Sequence, residues 1–193
     1  MAVVLASSSA IRRAMLEQAG VEFTAEPADV DETAERHRHD GPESLATSLA
    51  RAKALAVSER RPGDWVIGSD SVVSVGSRIF AKPASRAEAA GHLRLFSGQT
   101  MQLTSAVALA RDGVVDWSYC DSASLKVRPL SNSFIHSYLD AEWPEVGYCV
   151  GVFRLEGRGV QLFDSIDGSY FTILGMPLIP LLGALRERGE LAE

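Results

Sequence analysis

Apolar residues along this chain recur in two rhythms, one that buries short strands and one that buries a single helix face. Val3-Val4-Leu5 begins a short apolar run with the character of a buried strand, and it leads through Ser7-Ser8-Ser9 into a helical segment from about Ala10 to Ala19 that Gly20 closes. A polar, acidic stretch from Glu22 to Asp40 reads as a connection. Gly41-Pro42 then opens an alanine-rich helix from about Glu43 to Arg60, ended by Pro62-Gly63. Trp65 to Gly68 is the next buried strand. Val72 to Val75 and Arg78 to Ala81 flank Gly76-Ser77, a two-residue hairpin turn, and Ser85 with Glu88 forms a capping box for a helix running to about Leu95. Ser97-Gly98 breaks that helix. Two long strands, Met101 to Ala110 and Val114 to Val127, join through Asp112-Gly113, and Asn132 to Ala141 reads as another helix. Val150 to Phe153 and Val160 to Ile166 carry strand patterns, Asp167-Gly168 a turn, and Pro177 introduces a closing helix from Leu178 to Arg188. Strands alternating with helices, with hairpins in the middle, predict an α/β protein with a mixed sheet.

Composition sharpens this picture. A chain of 193 residues that is 46% hydrophobic and 23% charged can bury one substantial core, so one compact unit over 1–193 is expected. It contains no run of about 18 apolar residues and no basic region ahead of its short N-terminal apolar stretch, which predicts a cytoplasmic protein without membrane association. Cys120 and Cys149 lack zinc or CxxC spacing and read as buried thiols. A formal net charge of −6 opposes a polyanion-binding surface, so clustered cations point to one small anion and not to nucleic acid.

Candidate chemistry starts at the first helix, which opens with Arg12-Arg13 where the helix dipole favours acids. Backbone N–H groups, the hydroxyls of Ser7, Ser8 and Ser9 and two guanidinium forks make a plausible phosphate cradle there. A Ser9 cap followed by two solvated arginines is the alternative. In Val66-Ile67-Gly68-Ser69-Asp70-Ser71 a short apolar strand ends in an acid, placing Asp70 where open α/β sheets collect ligands; an Asp that caps a turn is the competing use. Lys53 continues the four-residue spacing of Leu45 and Leu49, among alanines too short to hide it, and either points into a cleft or snorkels along the stripe edge. Lys82 before Pro83 is by default a surface charge. The acidic run Asp29, Asp31 and Glu32 is either a solvated loop or a magnesium ligand set, while His37 and His39 lack a third ligand at a recognised interval. The absence of GxxxxGK[ST], GxGxxG and GxSxG removes P-loop, dinucleotide and serine-hydrolase readings.

Together these elements resemble the Maf family of nucleotide pyrophosphatases, from Leu5 to about Arg188. The resemblance is carried by Leu5-Ala6-Ser7-Ser8-Ser9 with Arg12-Arg13, Val30-Asp31-Glu32, Ala50-Arg51-Ala52-Lys53, Ile67-Gly68-Ser69-Asp70, Lys82-Pro83, Leu95-Phe96-Ser97-Gly98, and Asp167-Gly168-Ser169-Tyr170 through Leu174-Gly175-Met176-Pro177-Leu178. It implies a single domain of the Maf/Ham1 (ITPase-like) α/β fold, a mixed twisted sheet with helices on its faces and a cleft between two lobes. It further implies hydrolysis of a nucleoside triphosphate to the monophosphate and pyrophosphate with a divalent cation, Mg²⁺ or Mn²⁺. By the same resemblance Asp70 is the proton acceptor, Ser9, Arg12, Arg13, Lys53 and Lys82 bind substrate, Glu32 joins Asp70 at the metal, and a homodimer is expected. Ile11, Ser71 and Glu156 fall at the family's base-specificity positions. A carboxylate at Glu156 accepts two hydrogen bonds from a guanine edge, and the wording is similar to the family's 7-methyl-GTP branch. That branch has Trp and Gln where this chain has Ile11 and Ser71, so base choice stays open, with dTTP or UTP as the other substrates. A nucleotide-binding regulator of cell division with little turnover is the other functional class.

Overall fold

The computed structural model describes residues 2–36, 38–39 and 41–192, so His37 of the histidine pair lies outside the described residues. In chain order the elements are β1 (Val3–Leu5), α1 (Ala10–Gln18), β2 (Thr24–Ala25), α2 (Glu32–Arg36), α3 (Pro42–Ser58), β3 (Trp65–Val75), β4 (Arg78–Phe80), α4 (Arg86–Phe96), β5 (Thr100–Arg111), β6 (Val114–Val127), α5 (Asn132–Glu142), β7 (Phe163–Asp167), α6 (Tyr170–Leu174) and α7 (Leu178–Glu187). Among the described residues seven strands form one sheet in the order β2-β1-β3-β5-β6-β7, with β4 paired to β3. β1 runs parallel to both β2 and β3, whereas β4 on β3 and β7 on β6 are antiparallel, so the sheet is mixed.

The chain divides into two compact units. The first comprises 1–71, 104–121 and 169–193. Here the apolar run of β1 is explained by burial on both faces. Val3 and Leu5 pack with Met15 and Leu16 of α1, Ile67, Leu109, and Leu181 and Leu185 of α7, while Val4 packs with Ala6, Val66 and Val57 of α3. Period-two alternation therefore sends neighbouring residues of one short strand into two different clusters. Full burial of a side chain such as Leu5, 0% exposed, is worth about 2 kcal/mol.

The second unit comprises 72–103 and 122–168. Its buried side chains include Phe80, Leu93, Phe96, Leu125, Ile135 and Leu139, and Phe80 meets Phe96 edge to face with centroids 4.8 Å apart. Ser85 caps α4, its hydroxyl accepting from the Glu88 N–H at 3.1 Å, while the Glu88 carboxylate reaches back to the Ala84 N–H at 2.8 Å. The Gly76-Ser77 hairpin has the expected register, Val75 opposite Arg78. In the first unit, the Asp112-Gly113 turn takes φ of 52° and 76°, the pair of positive values that a two-residue hairpin demands.

Four expectations are corrected. β3 does not stop at Gly68 but runs unbroken to Val75, because the polar residues Ser69, Asp70 and Ser71 each find partners without leaving the strand. The stretch from Glu22 to Asp40 is not only connection, since it holds β2 and α2. Val150 to Phe153 is not a strand. Val152 and Phe153 are buried in a turn in which Val152 takes φ 57°, so their apolar character reflects burial without pairing. Finally, residues 158–162 form a 3-10 turn and the strand starts only at Phe163; in that turn Gly159 lies so close to the Arg154 backbone that an added Cβ would sit 2.5 Å from its carbonyl oxygen, and the apolar Leu162 is buried without strand pairing. Among the described residues no helix is long and apolar enough to cross a membrane.

Candidate active site

The arginines at the start of α1 separate at once. Successive helical residues point about 100° apart, and Arg12 turns inward while Arg13 is exposed. Arg12 Nε donates to the Gly175 carbonyl at 2.9 Å, Nη2 to Ser71 Oγ at 3.2 Å and Nη1 to Ser7 Oγ at 3.5 Å. Burial of this guanidinium lowers its pKa from the ordinary arginine value, and the negative charges of Asp70 and Glu32 act against that shift. Ser9 occupies the N-cap position, half-buried, but its side chain makes no capping bond, and the first turn contains no acid.

Asp70 sits in the middle of β3, only 6% exposed. Lys53 of α3 places its Nζ 2.6 Å from Asp70 Oδ1 and 2.7 Å from Glu32 Oε1 of α2, so one ammonium joins two carboxylates. The approach depends on small residues. A Cβ built on Gly68 would lie 2.1 Å from the Ala50 carbonyl oxygen and 2.5 Å from the Ala54 nitrogen, so only glycine lets the α3 backbone come this close to β3. The acidic run splits by role. Asp31 Oδ1 accepts from the N–H groups of Thr33 and Ala34 at 3.0 and 3.1 Å, which caps α2 and turns Glu32 toward Lys53, while Asp29 is exposed.

Behind Arg12 lies a set of hydroxyls. Ser69 Oγ and Ser71 Oγ each lie 3.1 Å from the Gly175 carbonyl oxygen, and Ser71 Oγ is 2.8 Å from Ser105 Oγ. Ser105 Oγ is in turn 2.8 Å from the Thr172 carbonyl oxygen, and Thr172 donates to Asp121 Oδ2 at 2.5 Å. Gly175 ends α6 in the left-handed conformation, φ 109°, which aims its carbonyl at the arginine.

The first unit thus brings together Ser9, Ile11, Arg12, Arg13, Glu32, Lys53, Asp70 and Ser71, of which Arg12, Glu32, Lys53 and Asp70 form one charged cluster. Lys82 and Glu156 are exposed residues of the second unit. Glu32 and Asp70 are the oxygen donors that already converge on one cation, the Lys53 ammonium. Among the described residues no group of three or more His, Cys, Asp or Glu side chains is arranged to hold a metal ion, and His39 instead pairs with Glu35 at 3.2 Å. Both cysteines are free, and burial raises both thiol pKa values, that of Cys149 to about 11. Ser105 and Gly175 carried no signal of their own as site residues. The motif containing Gly175 could have pointed to it, since glycine is the residue that ends a helix in the left-handed conformation.

Relatives match this chain over nearly its whole length. One, 48% identical over 193 residues that cover 98% of this chain and 97% of the relative, is a 7-methyl-GTP pyrophosphatase from Rhizobium etli. A 7-methyl-GTP pyrophosphatase from Brucella suis is 47% identical over 188 residues, covering 95% of this chain and 94% of the relative. A nucleoside triphosphate pyrophosphatase from Rhodopseudomonas palustris is 44% identical over 192 residues, covering 98% and 95%. Among solved structures, a HAM1 protein from Coxiella burnetii superposes with a TM-score of 0.46 at 16% identity, covering 66% of this chain and 73% of that one. The sequence profile of the Maf-like proteins matches residues 2–188, which take in every element from β1 to α7, and the chain belongs to that family.

Proposed function

We propose that this protein hydrolyses a nucleoside triphosphate to the monophosphate and pyrophosphate, with 7-methyl-GTP as the preferred substrate. The observation that carries the reading is the cluster in which Lys53 joins Asp70, buried in mid-strand, to Glu32, with the half-buried Arg12 guanidinium in the field of both carboxylates. The names of the full-length relatives support it. Arg12, whose guanidinium is held from behind by Gly175 and Ser71, grips phosphate oxygens as a planar fork, and Arg13 and Ser9 flank it at the helix start. Lys53 contributes a compact point charge and fixes the orientation of the Asp70 carboxylate. Asp70 accepts the proton of the water that attacks the α-phosphorus, which breaks the bond to the pyrophosphate oxygen.

Glu32 and Asp70 would hold the divalent cation, since carboxylate oxygens are the ligands that Mg²⁺ and Mn²⁺ prefer. When bound, that cation offsets negative charge on the leaving pyrophosphate. Lys82 is proposed as a further phosphate-binding cation and Glu156 as the acceptor for a guanine edge, with Ile11 and Ser71 at the other specificity positions. The family match spans both units, which supports treating 1–193 as one Maf-like domain.

The test is hydrolysis of 7-methyl-GTP, GTP, dTTP, UTP, CTP and ATP with magnesium or manganese, following monophosphate and pyrophosphate, beside Asp70→Asn. Pyrophosphate release that is fastest on 7-methyl-GTP and falls by roughly 10²–10⁴ in the variant is expected for a lost proton acceptor. Turnover on none of the six nucleotides would replace the enzyme by a nucleotide-binding protein.

A further inference from the structure

We infer that Ser105 is a positioning residue for Arg12, acting through Ser71. The inference rests on the reading of Arg12 as a ligand of the triphosphate and deepens it.

The argument is a count of protons and lone pairs. Arg12 carries donors only, so Nε must give its proton to the Gly175 carbonyl and Nη2 must give one to Ser71 Oγ. A carbonyl oxygen has two lone pairs. The Gly175 oxygen has Arg12 Nε and the hydroxyls of Ser69 and Ser71 within 3.1 Å, which is three candidate donors for two places. Ser69 is fully buried, with this carbonyl as its hydrogen-bond partner. Ser71 has an alternative, because Ser105 Oγ is nearer at 2.8 Å. Ser105, also fully buried, can send its own proton to the Thr172 carbonyl at 2.8 Å and so present a lone pair to Ser71.

One arrangement satisfies every group. Arg12 Nε and Ser69 fill Gly175, Arg12 Nη2 donates to Ser71, Ser71 donates to Ser105, and Ser105 donates to Thr172. The protons of Ser71 and Ser105 thus run one way, from the guanidinium into the protein. Ser105 therefore decides that Ser71 shows Arg12 a lone pair and leaves the Gly175 oxygen to Arg12 Nε. Without the Ser105 oxygen, the Ser71 proton turns to Gly175, where it competes with Arg12 Nε for the second lone pair, and the fork loses its fixed direction.

The experiment measures affinity for inorganic tripolyphosphate with magnesium, a probe that carries no base, for wild type, Ser105→Ala, Arg12→Ala and the double variant. Ser105→Ala is expected to weaken binding roughly three- to tenfold in the wild-type background and to have no further effect when Arg12 is already removed, the signature of two residues acting as one unit. In turnover the same variant is expected to raise KM with kcat within about twofold, as for lost binding that is uniform along the reaction. An equal loss in both backgrounds, or no loss in either, overturns the inference while leaving the role of Arg12 standing. Unchanged binding in Arg12→Ala overturns the role of Arg12 and the inference together. Should Ser105→Ala fail to fold, Ser71→Ala removes the middle of the relay, and the same coupling to Arg12 is required of it.

Discussion

Arg12 and Arg13 are chemically the same residue one step apart, and the fold gives them opposite environments. One is held by three oxygens and the other is exposed. The pair of cations at a helix start was legible in the sequence, but which of them turns inward was not, because the answer lies in Gly175, 163 residues away. Lys53 was legible in part. Its spacing from Leu45 and Leu49 placed it on the buried stripe, and both are 0–1% exposed, yet nothing local names Asp70 and Glu32 as its partners. Cys149 shows the same limit from the other side. Sequence counting makes it a buried thiol; its environment then raises its pKa from 9.0 to about 11, mainly by burial. A pKa raised in the folded state means that the unfolded chain loses its proton first. Stability is therefore expected to fall as pH rises from about 9 toward 11, and Cys149→Ala should remove that part of the slope in melting temperatures taken across this range.

Among the elements, β3 shows where patterning misleads. Gly68 followed by three polar residues looks like the end of a strand, but Ser69, Asp70 and Ser71 are held by Gly175, Lys53 and Ser105, all remote in sequence. The long strands β5 and β6 and the helices α3, α4, α5 and α7 were legible because their periodicity and end signals agree. The short elements β2, α2 and α6 were not, since two to five residues carry too little periodicity to register, and α2 depends on the Asp31 cap. The contact between α3 and β3 makes its own prediction. Gly68→Ala puts a methyl where the Ala50 carbonyl oxygen is 2.1 Å away, a backbone atom that cannot step aside alone. The variant is expected to lose about 1–3 kcal/mol in denaturant unfolding, and its surviving folded fraction to hydrolyse nucleotide more slowly because α3 carries Lys53 away from Asp70. Full stability with full activity would show that the helix can shift without cost.

At the scale of the whole molecule, the chain passes between its two units four times, and the first unit is assembled from three separate segments. Its last segment supplies Leu178, Leu181 and Leu185 to the core and Gly175 to Arg12. A version ending at Gly168 is therefore expected to lack a cooperative unfolding transition in calorimetry, even though it retains Asp70, Lys53 and both arginines. The bond between Arg12 and Gly175 also has a consequence during synthesis. The ribosome makes the glycine 163 residues after the arginine, so at roughly 5–20 residues per second the nascent chain exists for on the order of ten seconds before this bond can form. The guanidinium therefore takes its final direction only after translation has passed α6, and a chain stopped short of Gly175 lacks that bond.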